Sequence, residues 1–514
     1  MGPSQYFARS AASHPDRLAL QDPWRRFTYA EASTFIEKAT GALLRDFPRG
    51  THVAIYSPND CRITLLQLAI NAAGMAWISM HPGGSAVGNA KILHAFDCRL
   101  AFFHPVFADA VPVIRETAPD IAFIAMDNST EDVPLLNAWI GETQPVPIGR
   151  AADDRGIAML QPTGGTTGEP KGVMHTNSSL EASILGFVHE DPTLQDSRML
   201  VVAPLTHGAG VWAISGLAAG ATVVVQPGFD VLQLLDGIEQ HAITSIFLPP
   251  TALYAMLDHP QLAKKDLSSL RNILIGAAPV SPDRFIEAIK RFGPILHEVY
   301  GQTEALPPVT FKRPADYMRP DGSVDRTVIC SAGRQAHNVW VEIIDDDGKP
   351  VKDGEIGEIV LRGTGVMLGY YNNPEETARI GAYGWHHTED IGIRDARGFI
   401  TVVERKKDMI ISGGFNIYPS QVENALNADP RVIASIVVGV PDDRWGEAVK
   451  AVVQLKPGEV MTEDEVRGLC RAKLGPVFTP KSVEFWDELP RSAVGKLLRK
   501  EIKARYWQSA DRKI

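Results

Sequence analysis

Thr163-Gly-Gly-Thr-Thr-Gly168-Glu-Pro-Lys171-Gly172 gathers four glycines, three threonines and one lysine into ten residues. Glycines accept positive φ and can turn backbone N–H groups toward an anion. Threonine hydroxyls and a lysine ammonium add donors and charge, so the chemistry expected here is polyphosphate binding. A Walker A loop needs glycine directly before its lysine and Ser or Thr directly after it. Here Pro170 precedes Lys171 and Gly172 follows, and proline removes an amide donor and resists that helix start. The alternative, a glycine-rich surface loop, is disfavoured by its flanks: 157–160 reads as a buried strand and 172–175 as a second one.

Other residues have chemical potential only in combination. Glu304, in Tyr300-Gly-Gln-Thr-Glu304, is an oxygen ligand of the kind Mg²⁺ selects; alone it reads as a solvated glutamate. Lys496, in Ser492-Ala-Val-Gly-Lys496, alone reads as an exposed basic helix start. His207, in Pro204-Leu-Thr-His207-Gly-Ala-Gly210, is either a satisfied histidine at a helix start or a pocket wall. Trp385-His-His-Thr-Glu-Asp390 suggests a metal cluster, but adjacent histidines on an extended segment point opposite ways. Gly363-Thr-Gly-Val-Met-Leu-Gly369 has one residue too many for a dinucleotide fingerprint, and Tyr370-Tyr-Asn-Asn-Pro374 interrupts the helix that should follow.

The elements that must position these residues follow from periodicity. Between about 50 and 300, short β-rich runs (52–56, 199–203, 222–225, 245–248, 272–275) alternate with helix-length segments such as 231–240 and 282–291, which predicts parallel sheets covered by helices. Ligands of such sheets sit beyond the carboxyl ends of strands. From about 330 to 400, runs at 340–344, 357–361 and 399–403 joined by Asp/Gly turns predict antiparallel sheet or barrel. After 404–408 comes a compact segment: helix 419–427, strands 431–440 and 449–455, helix 463–473. Its length of about 105 residues suffices for a small core.

With 514 residues, at least two domains are expected. Hydrophobic content of 45% and charged content of 22% are those of an ordinary soluble globular protein. The net charge of -10 argues against nucleic-acid binding. Cys61, Cys98, Cys330 and Cys470 show no disulfide or metal spacing, which fits a reducing, cytoplasmic setting. The N-terminal residues lack the apolar stretch of a secretory signal. The apolar stretch 63–80 contains Gln67, Asn71 and Gly74, so a core helix running into a strand is expected rather than a membrane span.

Taken in order, the phosphate loop, 204–210, 276–279, 300–304, 385–390, 404–408 and Gly495-Lys496 resemble the adenylate-forming superfamily, which includes acyl-CoA and aryl-CoA synthetases, adenylation domains and firefly-type luciferases. The resemblance spans about residues 10–505 of the chain. It implies an α/β plus α+β fold: a large N-terminal AMP-binding domain, 1–406, of helix-covered sheets with a β-barrel-like subdomain, and a small mobile C-terminal α+β domain, 407–514, carrying the catalytic lysine.

The resemblance also implies roles. Thr163, Gly164, Gly165, Thr166, Thr167, Gly168 and Lys171 would clasp the ATP phosphates, with Thr303 reaching one of them. Gly276, Ala277, Ala278, Tyr300 and Gln302 would border adenine. Asp390 would accept the ribose hydroxyls, with Arg405 alongside. Glu304 would hold Mg²⁺, and Lys496 would catalyse adenylation, where a carboxylate attacks the α-phosphate against charge repulsion. The C-terminal domain would then rotate about Lys407 and bring up a thiol tunnel lined by Ser412, Gly413, Gly414 and Asn416, with Trp445 and Phe478 on the CoA side. His207, Val211, Trp212, Ala305 and Leu306 would line the acyl pocket; they are mostly apolar, which points to a hydrophobic monocarboxylic acid. The sequence departs from the family at Gly164, where serine is usual, and at Glu389, where Thr-Gly-Asp is common.

The activity implied is an acyl-CoA ligase using ATP, CoA and Mg²⁺. The alternative is an adenylating enzyme that loads an acyl carrier protein, and the lack of a carrier domain after residue 514 favours free CoA. A nucleotide-binding protein without catalysis is disfavoured by Lys496, Glu304 and Asp390 occurring together; a luciferase-like oxygenase would reveal itself by light output. A monomer or homodimer is expected, with no nucleic-acid partner.

Overall fold

The computed structural model describes residues 1–128, 132–141, 143–149, 156–164, 170–442, 444–490 and 497–507. The β-branched runs become strands of two large sheets. The first has nine strands in the order Arg334–Gln335, Ala305–Lys312, Leu296–Gln302, Asn272–Ile275, Ser245–Leu248, Arg198–Val201, Thr222–Val225, Leu18–Gln21 and Arg26–Thr28. The strands from Leu296–Gln302 to Leu18–Gln21 run parallel, and antiparallel strands close both edges. The second has seven: Gly369–Tyr370, Pro170–Thr176, Ile157–Gly164, Ala76–Ser79, His52–Tyr56, Cys98–Phe103 and Ala122–Ala125. Its strands from Ile157–Gly164 onward are parallel, whereas Ile157–Gly164 and Pro170–Thr176 form an antiparallel pair.

One apolar cluster takes residues from both sheets and from the helices Cys61–Ala72 and Gly208–Ala219. Cys61–Ala72 is apolar on nearly every side and buried along almost its whole length, and Asp60 caps its first turn through the N–H of Arg62. It leads into the buried strand Ala76–Ser79, as the pattern of 63–80 predicts. Among the described residues no helix is long and apolar enough to cross a membrane.

Four further strands lie in the order Val339–Ile344, Ile356–Gly363, His386–Arg394, Ile400–Arg405. The C-terminal sheet orders Phe415–Ile417, Ile410–Ser412, Gly446–Leu455 and Val432–Asp442, with Ser482–Phe485 parallel to Gly446–Leu455. The helices Pro419–Asn427 and Glu463–Leu474 share its apolar core. The chain divides into two compact units: Met1–Glu342 with Val360–Thr388 and Gly398–Ile400, and Ile343–Ile359 with Glu389–Arg397 and Thr401–Ile514. A mixed α/β fold with a large first unit and a small sheet-rich second one is therefore what the chain adopts.

One strand escapes the sequence reading. Ala305–Lys312 pairs antiparallel with Leu296–Gln302, although Pro307-Pro308 argues against a strand. Its register shifts between Tyr300 and Gln302, and the prolines fall in that irregular stretch, where a missing N–H costs no ladder bond.

Candidate active site

In the first unit, three of the expected segments follow parallel strands of the nine-stranded sheet. Residues 204–210 follow Arg198–Val201, Gly276–Ala278 follow Asn272–Ile275, and Thr303-Glu304 follow Leu296–Gln302. Because these strands are parallel within one sheet, all three segments emerge at the same edge, the place where open parallel sheets take ligands. Gly276 sits in close quarters: a Cβ there would lie 3.0 Å from Val299 Cγ1 and 3.1 Å from the Phe247 ring, so these neighbours would have to give by a few tenths of an ångström. Ala277 holds φ +69°, a left-handed conformation that costs energy for any residue with a Cβ.

The phosphate loop is held by the antiparallel pair. Thr163 faces Lys171 and Gly164 faces Pro170 across the ladder. Gly165, Thr166, Thr167 and Gly168 lie outside the described residues. Lys171 Nζ sits 2.5 Å from Glu376 Oε1 and 5.2 Å from the centre of the Tyr370 ring. Arg379 donates from Nε and Nη2 to the same carboxylate at 2.7 and 2.9 Å. The Arg379 bonds, together with Lys171, pull the Glu376 pKa down to about 2, so this carboxylate stays charged at any physiological pH. Asn373 caps the helix Pro374–Ile380 by accepting from the N–H of Glu376 at 3.1 Å.

Tyr370 also joins this group to the candidate metal ligand. Its hydroxyl donates to Glu304 Oε1 at 2.9 Å, and the Met367 N–H donates to the Glu304 carbonyl at 2.8 Å. The second Glu304 oxygen, Oε2, has no hydrogen-bond partner among the described residues, so a hard oxygen donor is held in place with one oxygen uncommitted, which suits Mg²⁺. Behind it, buried His175 donates from Nε2 to the carbonyl of Thr303 at 2.7 Å, while its Nδ1 has no partner among the described residues. Burial drives the His175 pKa down to about 4; the ring is neutral and fixes the backbone between Gln302 and Glu304. Gln302 Nε2 lies 3.3 Å from His386 Nε2.

His207 is the N-cap residue of Gly208–Ala219, but its side chain makes no capping bond. Its Nδ1 lies 3.1 Å from Thr206 Oγ1, and its ring stands edge-on to His81 at 5.0 Å. Burial, assisted by His81, lowers its pKa to about 4. The turn before the helix is tight enough that a Cβ on Gly210 would lie 1.8 Å from the Leu205 carbonyl oxygen. Val211, Trp212, Ala305 and Leu306 are buried and apolar, and the Trp212 ring lies 6.2 Å from Phe247.

The second unit holds the remaining expected residues. Asp390, with a side chain 3% exposed, receives Arg405 Nε at 2.7 Å. Glu389 has φ +59°, the left-handed region for which the family's usual glycine is suited. Lys407 belongs to a 3₁₀ turn, Lys406–Asp408. Gly413 and Gly414, with φ +60° and +83°, form the tight turn between Ile410–Ser412 and Phe415–Ile417. The Gly413 N–H donates to the Trp445 carbonyl at 2.8 Å, and a Cβ on Gly413 would lie 2.5 Å from the Trp445 ring. Arg444 and Lys481 stand over that ring at 4.7 and 5.7 Å. Ser412 is buried, Asn416 is exposed, and Phe478 packs half-buried against the core of this unit. Lys496 lies outside the described residues.

Tyr370, Glu376, Arg379, His175 and His81 were not singled out from the sequence. Asn373-Pro374 followed by two glutamates is a helix start signal, but nothing local pairs Glu376 with a lysine 205 residues earlier.

The sequence matches the family model described as AMP-binding enzyme over residues 7–371, and the AMP-binding enzyme C-terminal domain over 421–496. The chain belongs to the AMP-binding enzyme family. It is similar to the medium/long-chain-fatty-acid–CoA ligase FadD8 of Mycobacterium tuberculosis, 35% identical, covering 90% of this chain and 83% of that one. It is similar to a feruloyl-CoA synthase of Amycolatopsis sp, 36% identical, covering 97% and 98%. Among solved structures it resembles the amide bond synthetase McbA of Marinactinospora thermotolerans, with a TM-score of 0.88 and 31% identity over 98% of this chain and 99% of that one. As a member of this adenylate-forming family the chain is an acid–thiol ligase of the acyl-CoA synthetase type.

Proposed function

We propose that the enzyme joins a hydrophobic monocarboxylic acid to CoA in two steps, through an acyl-AMP intermediate, with release of pyrophosphate and then AMP. The observation that carries the reading is Glu304: it follows a parallel strand, its Oε1 is held by Tyr370, and its Oε2 has no hydrogen-bond partner among the described residues. Lys171 and the loop beside it serve the ATP phosphates, and Thr303 reaches one of them. Gly276 to Ala278, Tyr300 and Gln302 border adenine. Asp390 takes the ribose hydroxyls, with Arg405 oriented by its carboxylate.

Glu304 would hold Mg²⁺, which when bound neutralises phosphate charge as pyrophosphate leaves. Lys496 supplies the second cation for that step. The acid lies along His207, Val211, Trp212, Ala305 and Leu306. His207 is neutral near pH 7 because burial lowers its pKa to about 4, so this wall offers no charge to a second carboxylate. Gly413, Gly414 and Asn416 make the narrow passage for the thiol arm, and Trp445, flanked by Arg444 and Lys481, receives the far end of CoA. Lys407 is the pivot between the two half-reactions.

The test separates the half-reactions. Acid-dependent exchange of pyrophosphate into ATP, screened over C2–C18 and aryl acids, identifies the acid. AMP release with free CoA, compared with a phosphopantetheinyl carrier protein, identifies the acceptor. Lys496→Ala abolishes acyl-AMP formation and leaves thioester formation from supplied acyl-AMP; equal loss of both overturns the assignment.

A further inference from the structure

We propose that His189, Glu190 and His337 form a surface site for one divalent transition-metal ion with zinc-like ligand preferences, separate from the Mg²⁺ of adenylation. His189 and Glu190 end the helix Asn177–Glu190, and His337 comes from the segment between Arg334–Gln335 and Val339–Ile344. One ligand atom from each of the three lies within 4.8 Å of the others. Two imidazoles and a carboxylate are a donor set that suits zinc and its neighbours rather than magnesium.

The geometry around the three residues favours a site over a simple ion pair. His337 Nδ1 lies 3.2 Å from Glu190 Oε1, so an exposed imidazole meets a carboxylate whose side chain is only 4% exposed. A second imidazole then stands with its centre 3.8 Å from the first, rings tilted by 54°. Two protonated rings would repel at that distance; two neutral rings offer lone pairs to one cation. Metal-bound nitrogens and oxygens sit about 3.3 Å apart around a tetrahedral zinc; the His337–Glu190 pair already stands at 3.2 Å, all three ligand atoms lie within 4.8 Å of one another, and both rings are exposed.

The carboxylate is already oriented. Arg313 donates from Nη2 to Glu190 Oε2 and from Nε to the Glu190 carbonyl at 3.2 Å. Oε1 is thereby left on the side of the histidines, the arrangement by which outer hydrogen bonds aim a ligand. Asn338, beside His337, donates to the Ala182 carbonyl at 2.8 Å, which ties this segment to the same helix. None of the three residues touches Lys171, Glu304 or His207. A bound ion would pin the end of the helix to the 337 segment, so Arg313 is a positioning residue and the ion a structural clamp.

The experiment uses full-length protein freed of any polyhistidine tag, with zinc chloride measured by calorimetry and cobalt chloride by visible absorption. One zinc per chain and a cobalt spectrum with intense d–d bands are expected. The His189→Gln, His337→Gln double variant should lose at least about 100-fold in affinity together with those bands, and Arg313→Lys about 10-fold. The unfolding midpoint of the double variant in chelator should match wild type, since both rings are exposed. Unchanged zinc affinity in the double variant, or no saturable uptake by wild type at millimolar zinc, would overturn the site.

Discussion

Lys171 Nζ lies 2.5 Å from Glu376 Oε1, and the same carboxylate is gripped by Arg379. The phosphate-loop lysine is therefore held by an anion that is itself restrained, with ammonium protons left to donate elsewhere. Glu376→Gln removes the charge that fixes Lys171. KM for ATP should rise ~5-fold, equivalent to about 1 kcal/mol for a partly exposed pair, with kcat nearly unchanged. A fall in KM would mean that Glu376 competes with phosphate instead.

His175 makes the first unit sensitive to acid. Its folded pKa of about 4 lies below the ordinary 6.5, so the unfolded chain binds the extra proton between those values and stability falls as pH drops through that window. Between pH 7 and pH 5 the loss from this residue is about 2 kcal/mol. His175→Gln should flatten that part of the profile, read as urea midpoints at the two pH values. Parallel profiles for variant and wild type would remove His175 from the acid response.

Glu389 occupies φ +59°. A left-handed residue with a Cβ costs roughly 1–2 kcal/mol, and glycine returns part of that gain through its larger unfolded-state entropy. Glu389→Gly is expected to stabilise the protein by about 0.5–1 kcal/mol in thermal unfolding. Destabilisation would show that the Glu389 side chain contributes more than its backbone conformation costs.

Gly413→Ala should act on the second half-reaction alone. The new methyl would lie 2.5 Å from the Trp445 ring and sit at φ +60°, so the ring must move. KM for CoA should rise ~10-fold, while acid-dependent pyrophosphate exchange keeps its wild-type rate. A matched loss in both would separate Gly413 from thiol binding.

The strands at 52–56, 222–225, 245–248 and 272–275 were legible because buried parallel strands are short apolar runs bounded by turns. The loops beyond them were legible through glycine and threonine content. What stayed hidden was pairing at long range and strands broken by proline. Ala305–Lys312 carries Pro307-Pro308, which reads as a strand breaker until its partner is known. Tyr370 read as the interruption of a helix, yet its hydroxyl reaches Glu304 across 66 residues, and no local pattern encodes that meeting. Glu389 was visible as a departure from the family, but why glycine would suit that position emerged only with its backbone angle.

The ladder that sets Thr163 against Lys171 continues as far as Ile157 and Thr176. A scaffold of that length keeps its register from its own side chains and neighbours, whatever lies between residues 164 and 170. Replacing the glycines and threonines there should yield catalytically silent protein with native thermal behaviour. Evolution could thus revise the contents of this clasp without renegotiating the architecture that carries it.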